Sequence, residues 1–171
     1  MSDKPVFEKI SGGQEGFSLV ELLIVIALIG ILLGIASLQF ASWSRQAILQ
    51  QELKQMYSAL TDARTRAMTR NSNQGVLLVN GNQYALQNDL NNDGDFGDAG
   101  EIGAVTTVRS QIRWGGNVPA NDSVIFNARG HVTTLGTISM VNNDGATQDC
   151  IIMDVARISL GRMTGGACAR Q

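Results

Sequence analysis

The chain has 171 residues, of which 44% are hydrophobic and 16% charged, and its 13 basic and 15 acidic side chains leave a net charge of −2. A balance so close to neutral excludes a strongly polycationic or polyanionic surface, and with it any general reason to expect nucleic acid or a basic protein as partner. Two cysteines without Cys-x-x-Cys spacing and a single histidine, His131, argue against a zinc site.

Residues 1–16 are polar, with Lys4 and Lys9 as their only bases and glycines at positions 12, 13 and 16. Residues 17–38 follow as an apolar run whose single charge is Glu21. As a helix this run rises about 33 Å at roughly 1.5 Å per residue, enough to cross a hydrocarbon core of about 30 Å. The first base beyond it is Arg45, so the Lys/Arg distribution puts the N-terminus in the cytoplasm and the rest of the chain in the periplasm. A secretory signal carries its cleavage site after the apolar run. Here the processing point, Gly16, precedes it, so cleavage between Gly16 and Phe17 would leave the apolar segment on the mature protein.

A plain anchor does not explain Glu21. An acid at membrane depth costs about 2.5–3.5 kcal/mol at the helix centre and normally has a partner. Cleavage would create an amine on Phe17. That cation could be neutralised within its own helix, or it could pair with Glu21 of a neighbouring helix displaced along the axis, which would fix the register of a bundle.

The run Gly16-Phe17-Ser18-Leu19-Val20-Glu21-Leu22-Leu23-Ile24-Val25-Ile26-Ala27-Leu28-Ile29-Gly30-Ile31-Leu32 closely resembles the N-terminal motif of type IV prepilins and type II secretion pseudopilins. The resemblance implies cleavage after Gly16 by a prepilin peptidase, N-methylation of Phe17 and a role for Glu21 in subunit register. It also implies other pilin or pseudopilin subunits and an inner-membrane assembly platform as partners. The location it implies is the inner membrane, single-pass, and then a filament. Many relatives carry a helix-breaking proline in this segment, whereas none occurs here between Pro5 and Pro119. Gly30 and Gly34 are spaced for close helix approach, or are simply small residues tolerated in a span.

No Gly or Pro interrupts the chain between Gly34 and Gly75, and apolar residues recur at Phe40, Trp43, Ala47, Leu53, Met56, Leu60, Ala63 and Ala67. Spacings of three and four predict that residues 39–72 continue the helix amphipathically. Arg45, Glu52, Lys54, Asp62, Arg64, Arg66 and Arg70 mostly occupy its other faces. Arg64, Arg66 and Arg70 suit the negative pole of the helix.

Residues 73–171 read as a β-rich domain. The runs 76–79 and 83–86 flank Asn80-Gly81, whose residues accept the positive φ angles of a tight hairpin turn. Further strands are predicted over 103–114, 123–127, 131–141 and 150–160, with a turn at Asn142-Asn143-Asp144-Gly145. The expected fold is therefore α+β and pilin-like, one long N-terminal helix packed on a mainly antiparallel sheet. Within this half, Val124-Ile125-Phe126-Asn127-Ala128-Arg129-Gly130 and Arg157-Ile158-Ser159-Leu160-Gly161-Arg162 resemble the C-terminal region of the GspH/FimT branch of minor pilins and pseudopilins. That favours a minor, tip-proximal or initiating subunit. In an exported domain an even cysteine number pairs, so a Cys150–Cys168 disulfide is expected, worth about 3 kcal/mol in the chain-entropy model.

The stretch 89–101 places oxygen side chains at Asp89, Asn91, Asp93, Asp95, Asp98 and Glu101, with a glycine at its sixth position, which is how a loop wraps calcium. The closing acid comes one position late, and the same residues make an ordinary solvated connection; the sequence leaves both open. No cofactor is required, and calcium is the one ligand the loop suggests. Arg157, Arg162 and Arg170 could form a basic surface for DNA phosphates, against a solvated-surface reading that weighs more. His131 has no second histidine or nucleophile motif near it, so nothing assembles a catalytic constellation and no enzyme is expected. A structural filament subunit is thus the first reading, and a pilus-associated subunit binding DNA or a secreted substrate is the alternative.

Overall fold

The computed structural model describes residues 16–116, 123–141 and 145–170, with one α-helix and nine strands among them. The leader up to residue 15 and most of the turn expected at 142–145 lie outside the described residues; Gly145, the last residue of that turn, takes φ +79°. Two compact units emerge, Met1–Phe40 and Ala41–Gln171.

Helix α1 (Leu19–Arg70) starts where Ser18 ends the extended chain, the Ser18 carbonyl accepting from the Leu22 amide at 3.2 Å. Ser18 followed three residues later by Glu21 is the sequence pattern of a capping box, and a carboxylate in the first turn suits the positive pole. At the other end Asn71 takes φ 53°, the left-handed conformation that stops a helix, with Arg70 in the last turn. Among the described residues of the first unit no helix side chain is buried, and none of the most apolar 18-residue window is covered.

In the second unit the helix is amphipathic as expected, but its stripe starts later. Leu49, Leu53, Met56, Leu60, Ala63 and Ala67 are buried, whereas Phe40 and Trp43, predicted on the same stripe, are 66% and 64% exposed and Ala47 is exposed too. The buried stripe joins one core with Val76, Val124 and Phe126 and with Ile138, Met140, Ile151 and Met153. Burying each large side chain contributes about 1.5–3 kcal/mol, which is what holds this part of the helix to the strands.

The strands form two antiparallel sheets, where the sequence suggested one. The first has the order β3-β2-β1-β5, from β1 (Gln74–Asn80), β2 (Gln83–Asn88), β3 (Ile102–Thr107) and β5 (Ser123–Phe126). The second has the order β4-β6-β7-β8-β9, from β4 (Ile112–Gly116), β6 (Gly136–Met140), β7 (Cys150–Asp154), β8 (Arg157–Thr164) and β9 (Ala167–Arg170). The predicted strand 103–114 is cut by a turn at 108–111 that carries the chain from one sheet to the other. The predicted strand 150–160 is two strands around Val155-Ala156, with Asp154 opposite Arg157. Only 136–140 of the predicted 131–141 is strand; Val132 makes an isolated bridge to Phe126. The β1–β2 hairpin stands where expected, but neither Asn80 nor Gly81 takes a positive φ. A register shift between Leu78 and Asn80, and the Asn80 side chain accepting from the Asn82 amide at 3.0 Å, turn the chain instead.

Candidate assembly surface

The first group of predicted site residues sits at the start of α1. Gly16 is exposed, Phe17 is 82% exposed and Glu21 stands exposed in the first helical turn. Beyond them Leu19, Leu22, Leu23, Ile26, Ile31 and Ile35 are all open on a helix long and apolar enough to cross a membrane. An apolar surface on every side of a helix is stable only in lipid or against other apolar helices. A carboxylate at its end brings in a charge that both environments penalise unless a cation meets it.

The second group is the disulfide. Cys150 and Cys168 are joined, with their Cα atoms 6.1 Å apart, which staples β9 back to β7 across β8. The strand between them explains how. Cys150 and Arg170 both stand opposite Gly161, and a Cβ placed there would lie 2.5 Å from the Ala169 carbonyl oxygen and 2.9 Å from Cys168 Sγ. The staple crosses the sheet at a residue without a side chain. Gly165 and Gly166, both at positive φ, close the β8–β9 hairpin in two residues.

The acidic loop 89–101 is wired to itself. Asp89 is buried and its carboxylate accepts from the Asn92 amide at 2.6 Å and the Gly94 amide at 3.1 Å; Glu101 is buried and accepts from Leu90 and Asp98 at 3.0 and 3.1 Å. The Asn91 amide nitrogen donates to the Asp93 and Asp98 carboxylates at 2.8 and 2.6 Å, while its oxygen accepts from the Asp93 backbone amide at 3.1 Å. The Asp95 backbone amide and then the Asn91 side chain hold the Asp93 carboxyl below the ordinary carboxylate range. A cation entering here would compete with these donors for the same oxygens, and among the described residues no group of three His, Cys, Asp or Glu side chains is arranged to hold a metal ion.

The three C-terminal arginines are exposed but do not converge. Arg157 and Arg162 are five apart on β8 and so face opposite sides of the sheet. Arg170 pairs with Gly161 and shares the Arg157 face, where it forms an ion pair with Asp154. His131 is exposed at the end of a turn closed by its own amide donating to Asn127 Oδ1 at 3.0 Å.

Two buried carboxylates escaped the sequence. Glu52 is 8% exposed and accepts from the Arg109 amide at 2.7 Å and the Ser110 amide at 3.0 Å, one oxygen each, so the helix holds the turn between the two sheets. Asp149, fully buried, accepts from the Met163 amide at 2.6 Å beside the staple. A signal for Glu52 existed, since it is next to Leu53 and three residues after Leu49 on the buried stripe. Its backbone partners lie 57 and 58 residues away and had none.

One helix with an exposed apolar N-terminal stretch and a carboxylate in its first turn, its later half packed with antiparallel sheets, defines the pilin class. Two family matches narrow it: the prokaryotic N-terminal methylation motif matches residues 12–37, and type II transport protein GspH matches residues 52–156, more than half of the chain. The chain belongs to the GspH family, and is a pseudopilin or minor pilin of the GspH/FimT kind, a structural component of a type II secretion or type IV pilus system. No curated protein and no solved structure matches it.

Proposed function

We propose that the chain is cut between Gly16 and Phe17, methylated on the new amine of Phe17, and drawn from the inner membrane into a filament through residues 17–38, with Glu21 of one subunit meeting the terminal amine of the next. The β-rich domain then faces the periplasm and residues 1–16 the cytoplasm. The carrying observation is the pairing of a helix exposed on all sides with one carboxylate, in its first turn, inside a stretch that matches the methylation motif. In a bundle the apolar sides satisfy each other, and the carboxylate is the one group left that demands a specific axial offset. Prepilin peptidase and the assembly platform are the partners this reading requires.

Mass analysis of the N-terminus of protein recovered from membranes tests processing: a chain beginning with methylated Phe17 is expected, and one retaining residues 1–16 ends the proposal. Glu21→Leu tests register. It should stay in the membrane yet fall at least tenfold in sheared filaments, because removing the carboxylate leaves the amine uncompensated in lipid, a penalty above the roughly 1.4 kcal/mol that a tenfold change requires. Normal incorporation of Glu21→Leu would remove the role assigned to that residue.

A further inference from the structure

The second sheet carries a trough of about 500 Å³ whose lining includes Arg113, Thr137, Ser139, Met163 and Cys168. Strand register builds it. Arg113, Ser139, Cys150 and Gly161 stand opposite one another across β4, β6, β7 and β8 and so share one face, while Ile138, Met140 and Ile151 alternate with them toward the core. The Cys150–Cys168 staple passes over Gly161 and draws the β8–β9 hairpin across that face. Met163 and Cys168 thereby line the same trough as Arg113, which stands on the far edge strand of the sheet.

The lining is rich in donors and holds no acid. Arg113 is exposed, and among the described residues its guanidinium forms no ion pair. Thr137 and Ser139 add two hydroxyls beside it, and the Ser139 hydroxyl reaches the Arg113 carbonyl only at 3.5 Å. Of the described acids in or beside this sheet, Asp149 is fully buried and accepts from the Met163 amide, and Asp154 is paired with Arg170. A guanidinium fork flanked by hydroxyls is complementary to a carboxylate. With no second base in the lining, the trough suits one negative charge and not the run of phosphates on a nucleic acid. Across from Arg113, the Met163 thioether and the disulfide offer an apolar, polarizable wall for aliphatic carbons. The volume lies within the roughly 300–1,000 Å³ of ligand pockets and exceeds what a bare ion fills. Gly115 also lines it, outside the left-handed region, and a Cβ there would meet Thr137 at no less than 3.8 Å. The fold therefore does not demand a glycine at that position, and a strand glycine of this kind marks a place where another backbone approaches closely.

We infer that this trough binds the C-terminal end of an extended polypeptide. The Arg113 guanidinium takes the terminal carboxylate with the Ser139 and Thr137 hydroxyls beside it, the peptide backbone passes Gly115, and an aliphatic terminal side chain lies against Met163 and the disulfide. The inference goes beyond assembly through α1: it gives the β-rich domain a class of partner, proteins with a free apolar C-terminus, and it uses only residues of the second unit. Charge-assisted hydrogen bonds separate such an end from its neutral amide, which should bind about tenfold more weakly or worse.

The test uses the full-length chain in detergent and isothermal calorimetry, with the acetylated tetrapeptide glycyl-seryl-alanyl-leucine as free acid and as C-terminal amide. The acid should bind about tenfold tighter than the amide or better, R113Q should abolish that preference, and R113K should keep most of it. G115A should weaken acid and amide alike, by about threefold or more, while its thermal melt matches wild type. Arg113 is exposed, so R113Q should also melt as wild type does. If it melts early, S139A, expected to lose about threefold in affinity for the acid, replaces it. No binding of the acid, equal binding of acid and amide, an undiminished preference in R113Q or unaltered binding in G115A overturns the inference. Displacement of the peptide by an equal concentration of acetyl-leucine also overturns it, since the trough would then be a site for small acids and not for a polypeptide end.

Discussion

The two parts of α1 are continuous in backbone and opposite in circumstance. From Leu19 to Ile35 every large side chain is exposed, while from Leu49 to Ala67 one stripe is sealed in the core of the second unit. Helical hydrogen bonding is the same in both, so it does not decide where the helix ends up. What differs is the distribution of apolar residues around the axis. An all-round apolar surface must find lipid or like helices, and a stripe must find a sheet. Assembly and folding are thus assigned to different stretches of one element, and substitutions should separate them.

The largest separation is expected from a pair of truncations. Leu60→Ala, at a fully buried position, should destabilise the second unit by about 2–5 kcal/mol, the cost of a cavity in a packed core. Leu28→Ala, in the exposed stretch, should leave the melt of that unit unchanged. A common loss of stability in both, read by thermal denaturation of the full chain, would mean that the two stretches do not act separately.

Removing the staple comes next. Cys150→Ser with Cys168→Ser should cost about 3 kcal/mol through loop-closure entropy, and the loss should appear first as hydrogen exchange in β9, which pairs only with β8 among the described strands. Gly161→Val should do comparable damage while both cysteines remain, because its side chain would occupy the space of Ala169 and Cys168. A Gly161→Val chain with an intact disulfide and wild-type stability would break that account.

Glu52→Ala should destabilise by about 2–3 kcal/mol, since it strands two backbone donors that the carboxylate now satisfies. Glu52→Gln keeps one acceptor oxygen and should cost roughly half as much. Equal effects in denaturant melts would show that packing rather than hydrogen bonding at this position matters.

Legibility of the fold followed the range of the interactions. Helix and hairpin rest on local spacing, so the apolar run, the stripe from Leu53 to Ala67 and the pair of strands around Asn80-Gly81 could all be read from neighbours in sequence. The division of the strands into two sheets could not. It depends on the turn at 108–111, which contains no glycine or proline and is held by Glu52 from more than fifty residues away. The turn at Val155-Ala156 likewise carries no turn residue, so 150–160 read as one strand. By contrast β9 had a usable signal, since Gly165-Gly166 followed by Ala167-Cys168-Ala169 is a hairpin pattern. Phe40 and Trp43 fall on the stripe by spacing alone, because periodicity records which residues are apolar, not whether a partner surface reaches that far along the helix.

The smallest effect belongs to the loop 89–101, and its sign follows from Asp93. Hydrogen bonds from the Asp95 amide and Asn91 hold its carboxyl below the ordinary 3.8. The folded state therefore favours the ionised form, so the contribution is present above the unfolded value and is lost as pH falls through the lower folded one. Asp93→Asn should accordingly run slightly below wild type in stability near neutral pH and converge with it in acid. Calcium sharpens the same measurement. Because Asp89 and Glu101 already spend their oxygens on the loop's own amides, calcium is expected to leave the wild-type melting temperature unmoved. A rise with calcium that Asp93→Asn abolishes would instead show that the loop rearranges, turning Asn91 about and trading internal donors for an ion.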